Sequence, residues 1–111
     1  MTCIILISKA AQGCDVLVHE STFDSSADEV ALKSLHSTSK MAGQFGAKAN
    51  TSLLIITHFS QRYTSPGVSP NVSDLLQQAR EAAGGVKVEA ANDLSVFEFP
   101  PKWKGNKPNK R

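Results

Sequence analysis

The stretch LLIITHFSQRY, residues 53–63, decides how this chain folds. Four aliphatic residues and a threonine run without a break into a histidine, and the chain then turns polar. A strand with one wet face alternates apolar and polar residues. A continuous apolar run of this length fits a strand covered on both faces, the pattern of a layered α/β sheet. His58 stands where that strand ends. Ligands of such sheets gather beyond the carboxyl ends of the strands. His58 is therefore placed either to ligate zinc, with its second ring nitrogen held by a neighbouring acceptor, or to serve as a hydrogen-bonded boundary residue.

Upstream, DVLVHE (residues 15–20) is a short β-branched run after Gly13 and reads as another strand. SSADEVALKSL (25–35) reads as a helix, with serines able to cap it, acids in its first turn, and Val30, Ala31 and Leu35 on one face. HSTSKMAGQFGAKAN (36–50) repeats the pattern. Ser37 or Thr38 can cap it, Met41, Ala42, Phe45 and Ala49 fall at helical spacing, and two glycines weaken it. Downstream, residues 60–71 form a loop with two prolines and a glycine. VSDLLQQAREAAG (72–84) is the clearest helix. Ser73 can cap it, Leu75, Leu76, Ala79 and Ala83 line one side, and Gly84 and Gly85 end it. VKVEAA and LSVFEF alternate, giving two closing strands joined at Asn92 and Asp93. The expected order is β-α-α-β-α-β-β, an α/β architecture.

Composition sets outer limits. A chain of 111 residues, 41% hydrophobic and 20% charged, fits one small globular domain rather than a disordered segment. A net charge of +2 gives no overall drive toward polyanions. Residues 100–111, PPKWKGNKPNKR, form a basic tail with four lysines, one arginine and no acid, either a solvated end or a weak phosphate contact. Cys3 and Cys14 have no metal-type spacing and point to a reducing compartment. The apolar run at residues 4–7 is too short for a membrane span or a signal-peptide core. An intracellular chain without a membrane partner is expected.

Other side chains can carry chemistry. His36 is either an exposed residue ahead of a helix cap or a proton donor with a near-neutral pKa. His19 and Glu20 are adjacent on a strand and face opposite ways, so one can enter a site while the other packs. Glu20 is a surface acid or the carboxylate that orients His36. Arg62 and Tyr63 are RNA contacts, through phosphate and base stacking, or ordinary anchors of their loop.

Taken together, DVLVHESTF (15–23), HST (36–38) and IITHFSQRY (55–63) resemble, in order and separation, three motifs of tRNase Z. That family comprises the tRNA 3′-processing endoribonucleases of the metallo-β-lactamase superfamily. The likeness continues loosely to NDLSVFEF (92–99) and covers about four-fifths of the chain. It implies the C-terminal half of a four-layer αββα sandwich in residues 1–99, followed by the tail. It also implies that His58 ligates zinc, that His36 protonates the departing 3′ oxygen, and that Glu20 supports His36. The implied cofactor is a pair of zinc ions, the implied substrate is precursor tRNA, and the intact enzyme can be a homodimer. The family's H-x-H-x-D-H motif, a further histidine ligand, the bridging aspartate and the tRNA-gripping arm are absent from this sequence. The chain alone is then expected to be inactive, to hold no zinc tightly, and to leave a sheet face or edge uncovered where the N-terminal half would pack. Two alternatives remain: a non-enzymatic RNA- or protein-binding remnant, or part of another metallo-β-lactamase-type phosphodiesterase. Cytoplasm, nucleus and organelle are all compatible with these readings.

Overall fold

The computed structural model describes residues 7–98. Its elements are β1 (Val16–Glu20), α1 (Asp28–Ser34), α2 (Ser39–Ala49), β2 (Leu53–Thr57), a short 3-10 turn (Gln61–Tyr63), α3 (Val72–Ala82) and β3 (Lys87–Ala90). Residues 7–10 are helical as well. The three strands form one parallel sheet in the order β1-β2-β3. Parallel neighbours need a crossover, and α1 with α2 supplies the first and α3 the second.

The continuous apolar run becomes the central strand. Leu53, Leu54, Ile55 and Ile56 are all buried. Leu17, Leu54 and Val88 sit in register across the sheet and face the helices. Leu54 and Ile56 pack there with Ala42 of α2, Ala79 and Ala83 of the α3 end, and Val88. On the opposite face Val18, the partner of Ile55, is 62% exposed, so the described elements leave part of that face open.

The small residues of α2 and α3 set how closely the two helices approach. A Cβ on Gly43 would lie 2.3 Å from the carbonyl oxygen of Ala79 and 2.9 Å from the Ala82 Cβ. The glycine that lowers helix propensity is thus what lets α2 lie directly on α3.

Several local expectations change. Ala27, not a serine, precedes α1, and no side chain caps it. Ser25 instead donates through N–H and hydroxyl to Gln78, both at 3.0 Å, and Ser26 donates in the same way to Asp24. On α1 only Ala31 is buried, whereas Val30 and Leu35 are 46% and 91% exposed. Thr38 caps α2, accepting from the Met41 N–H at 3.2 Å. Asn71 rather than Ser73 caps α3, through a reciprocal box with Asp74.

The second closing strand is not found. Residues 94–98 form no strand, and Leu94 and Val96 are 98% and 80% exposed. The alternation is in the sequence, but among the described residues no strand pairs with this segment. The described order is therefore β-α-α-β-α-β. Phe99, the basic tail and Cys3 lie outside the described residues. Among those described, no helix is long and apolar enough to cross a membrane.

Candidate functional site

The carboxyl ends of β1 and β2 open on the same side of the sheet, and the segments that leave them are stitched together by backbone hydrogen bonds. The Ser21 N–H donates to the Thr57 carbonyl at 2.8 Å, and the Ser60 N–H donates to the Thr22 carbonyl at 3.0 Å. On its other side, the same segment pairs Phe23 with Thr38 as an isolated parallel bridge. There the Phe23 N–H donates to Ser37 and the Ser39 N–H donates to Phe23, at 3.2 and 2.8 Å. Residues 21–23 thus run between the start of α2 and the end of β2. Buried Ser21 and Ser39 hydroxyls, 2.9 Å apart, lock this junction.

The stitching brings three distant residues together. Glu20 leaves β1, His36 precedes α2, and His58 follows β2. Each offers one ligand atom, and these atoms lie within 4.8 Å of one another. Among the described residues they are the one such group of histidine, cysteine and acidic side chains. His36 Nδ1 lies 3.8 Å from Glu20 Oε2. The rings of His36 and His58 stack with centroids 5.3 Å apart. Both Leu35 and His58 have left-handed backbone, with φ of 60° and 62°. Such a conformation costs on the order of 1–3 kcal/mol and is found where surrounding structure enforces it. At these two places it turns the chain just where an imidazole must swing toward the cluster.

Thr22, which sequence reasoning did not single out, sits at the centre. Its hydroxyl donates to Glu20 Oε2 at 2.7 Å and lies 2.9 Å from His58 Nδ1 and 3.4 Å from His36 Nδ1. Its N–H also donates to Glu20 Oε2, at 3.2 Å. Burial raises the Glu20 pKa, but hydrogen bonds from Thr22 and Ser37 and the nearby His19 outweigh it, so the carboxyl titrates below its ordinary value. A carboxylate beside two imidazoles, with N and O donors in one small volume, is a donor set that fits a divalent metal cofactor. His58, the expected ligand, is one of these three donors.

His19 goes the other way. It points to the helix-covered face, where its ring lies 5.0 Å from that of Phe45 and its Nδ1 is 2.7 Å from the Glu20 carbonyl oxygen. The alternation along β1 thus sends Glu20 into the cluster and His19 into the packing.

Tyr63 does not have the free ring that base stacking needs. It is 3% exposed and packs with Phe23, Ala31 and Leu75. Its hydroxyl donates to Asp24 Oδ2 at 2.9 Å and accepts from the Asp24 N–H at 3.1 Å. It anchors the loop, because an apolar ring in this small core is worth more buried than exposed. Burial pushes its phenol pKa up. Asp24, also unanticipated, titrates below its ordinary value because bonds from Ser26 and Tyr63 outweigh its partial burial. Arg62 remains exposed, with its guanidinium 5.3 Å from the centre of the Phe23 ring.

A pocket of about 500 Å³ lies beside the cluster, lined by Phe59, Tyr63, residues 64–67, the start of α3, and Ala91, Asn92 and Asp93. Its lining carries one acid and no base.

No protein-family model matches the chain. Curated relatives do. The ribonuclease Z of Gloeothece citriformis is 48% identical over 90 residues, which is 81% of this chain and 27% of that protein. The ribonuclease Z of a Synechococcus strain is 49% identical over 92 residues, 83% of this chain and 28% of that protein. That of Trichodesmium erythraeum is 45% identical over 93 residues, 84% of this chain and 28% of that protein. Among solved structures, the metallo-beta-lactamase fold protein YhfI from Bacillus subtilis superposes with a TM-score of 0.62 at 24% identity. That superposition covers 82% of this chain and 32% of YhfI, and it shows the fold. The chain spans little more than a quarter of the length of the curated relatives it matches. By that sequence likeness the chain resembles one part of the ribonuclease Z proteins, a little more than a quarter of their length.

Proposed function

We propose that this chain carries the proton-handling corner and one metal ligand of a zinc-dependent endoribonuclease site, which releases the 3′ trailer of precursor tRNA by phosphodiester hydrolysis. One observation carries the reading: Glu20, His36 and His58 converge from three separate segments to within 4.8 Å. His36 is the general acid that delivers a proton to the departing 3′ oxygen. Glu20 lies behind it, with Oε2 3.8 Å from His36 Nδ1, and orients the ring. His58, the exposed member of the group, holds the metal. Zinc, when bound, supplies a Lewis acid for phosphate oxygens and for activating water. The remaining ligands and the second metal come from a part of the fold that the chain's sequence does not supply. The chain by itself is therefore inactive. Arg62, exposed beside the cluster, contacts the RNA backbone, and the basic residues 100–111 add a weak phosphate contact.

The test is a graft. Residues matching the 90-residue segment replace their counterparts in the Gloeothece citriformis relative, and cleavage of precursor tRNA is assayed. The graft should cut, and His36→Ala within it should slow cleavage by about 10²–10⁴-fold, the usual contribution of a general acid. Undiminished cleavage would refute the role given to His36. A second reading has its own support, since the same three donors satisfy the protein-ligand count of a single catalytic metal site. Zinc titration of the isolated chain separates the two. Stoichiometric binding abolished by any of Glu20→Gln, His36→Ala or His58→Ala favours the single site.

A further inference from the structure

Thr22 touches all three members of the cluster through one oxygen, at 2.7 Å to Glu20 Oε2, 2.9 Å to His58 Nδ1 and 3.4 Å to His36 Nδ1. It is 7% exposed, so water does not compete freely for that oxygen. A threonine hydroxyl has one proton to donate and two lone pairs to accept with. An ionised carboxylate can only accept, so the proton belongs to Glu20. Both lone pairs then face imidazole nitrogens, and a nitrogen aimed at a lone pair must carry hydrogen. The inventory closes: one donor, two acceptors, three neighbours.

We propose that Thr22 is a positioning residue that holds His58, and with Glu20 also His36, in the Nδ1–H tautomer. The consequence differs at the two rings. At His58 the unprotonated nitrogen is Nε2, which becomes the atom available to a metal. At His36 the Nδ1 hydrogen stays against Thr22 and Glu20, so the exchangeable proton of the imidazolium is the one on Nε2. A single hydroxyl thereby selects the ligating atom of one histidine and the proton-delivering atom of the other. This inference rests on the reading of His58 as a ligand only for its purpose. The tautomers themselves are properties of the chain as it stands.

The experiment reads ring nitrogens directly. The ¹⁵N-labelled chain without metal is studied by NMR on the basic side of a pH series, where the ring ¹⁵N shifts have stopped changing and neutral rings are read. His58 and His36 should each show a protonated Nδ1 and an unprotonated Nε2. Thr22→Val keeps the shape and removes the hydroxyl; the Nδ1–H preference of His58 should fall several-fold. Thr22→Ser should restore it. An unprotonated Nδ1 at His58 in the unaltered chain overturns the proposal, as does a Thr22→Val spectrum identical at both rings. Should Thr22→Val lose its amide dispersion, Thr22→Ser decides: loss of the Nδ1–H state there also overturns it. A negative tautomer result leaves the hydrolytic reading intact, because the loss expected from His36→Ala in the graft does not depend on Thr22. A graft that cuts equally well with His36→Ala removes that reading and leaves the tautomer measurement standing.

Discussion

Replacing Gly43 with alanine sets two effects of opposite sign against each other, and the structure says which wins. In an exposed helix, glycine to alanine gains about 0.8–1.0 kcal/mol from propensity. At Gly43 the new Cβ would sit 2.3 Å from the Ala79 carbonyl oxygen and 2.9 Å from the Ala82 Cβ. Carbon–oxygen contacts settle at about 3.3–3.6 Å, so α2 and α3 must separate by roughly 1 Å. The obstructing oxygen is backbone and cannot rotate away. Overpacking of this kind costs about 1–3 kcal/mol. With the larger end of that range expected here, the net loss is about 1–2 kcal/mol, or several degrees in Tm for a domain of this size. Two neighbouring substitutions calibrate the measurement. At Gly46 the nearest atom is a side-chain one, Leu54 Cδ2 at 3.0 Å, which has to give by only a few tenths of an ångström, so Gly46→Ala should be close to neutral. Gly84 has nothing within 4 Å but a φ of +64°, so Gly84→Ala should lose about 1 kcal/mol through backbone strain alone. Urea titrations and thermal scans followed by circular dichroism read all three. A Gly43→Ala chain as stable as its parent, or more so, would falsify the argument that glycine is there for helix contact.

The effect of Gly43→Ala should also reach the site. His36 precedes the Thr38 cap of α2, so displacing α2 should lower cleavage by the graft, and unchanged rates in a folded variant would show the two regions to be uncoupled. Tyr63→Phe removes both bonds to Asp24 and strands a partly buried acceptor and N–H. A loss of about 1–3 kcal/mol is expected in urea, and a shift of under about 0.5 kcal/mol would count against the anchoring role. Glu20 and Asp24 both have carboxyls that titrate below their ordinary values. Each therefore adds stability that is present above the ordinary carboxylate range and lost as pH falls through the native-state pKa. Between about pH 6 and about pH 3 the parent should lose more stability than Asp24→Asn, and equal losses in the two urea series would remove Asp24 from the account.

The layered α/β sheet was legible because its cause is local. A run of aliphatic residues with no alternation has to be covered on both sides, and Leu53 to Ile56 are buried as that requires. The long helices were legible from the spacing of Ala42, Phe45 and Ala49, and of Leu75, Ala79 and Ala83. Caps were harder. Serines, threonines and asparagines all accept from a helix start, so the choice of Asn71 over Ser73, and of no side-chain cap for α1, depends on where each hydroxyl finds a partner. Ser25 was drawn to Gln78, 53 residues away, which no window along the chain reveals. The final strand failed for the same reason in reverse: Leu94 and Val96 alternate correctly, but a strand needs a neighbour.

By itself the sequence determined which residue types were available for chemistry and at which element ends they stand, because those follow from periodicity and from the motifs around Glu20, His36 and His58. Only the tertiary structure decided that the three meet, that His19 does not join them, and that Tyr63 is committed to the core. Parallel strands bring their carboxyl ends side by side only after the crossovers have folded, and the left-handed turn at His58 aims its ring only in that setting. Thr22 shows the difference most plainly. Along the chain it is an ordinary hydroxyl in a short loop; in the fold its single oxygen lies between a carboxylate and two imidazoles.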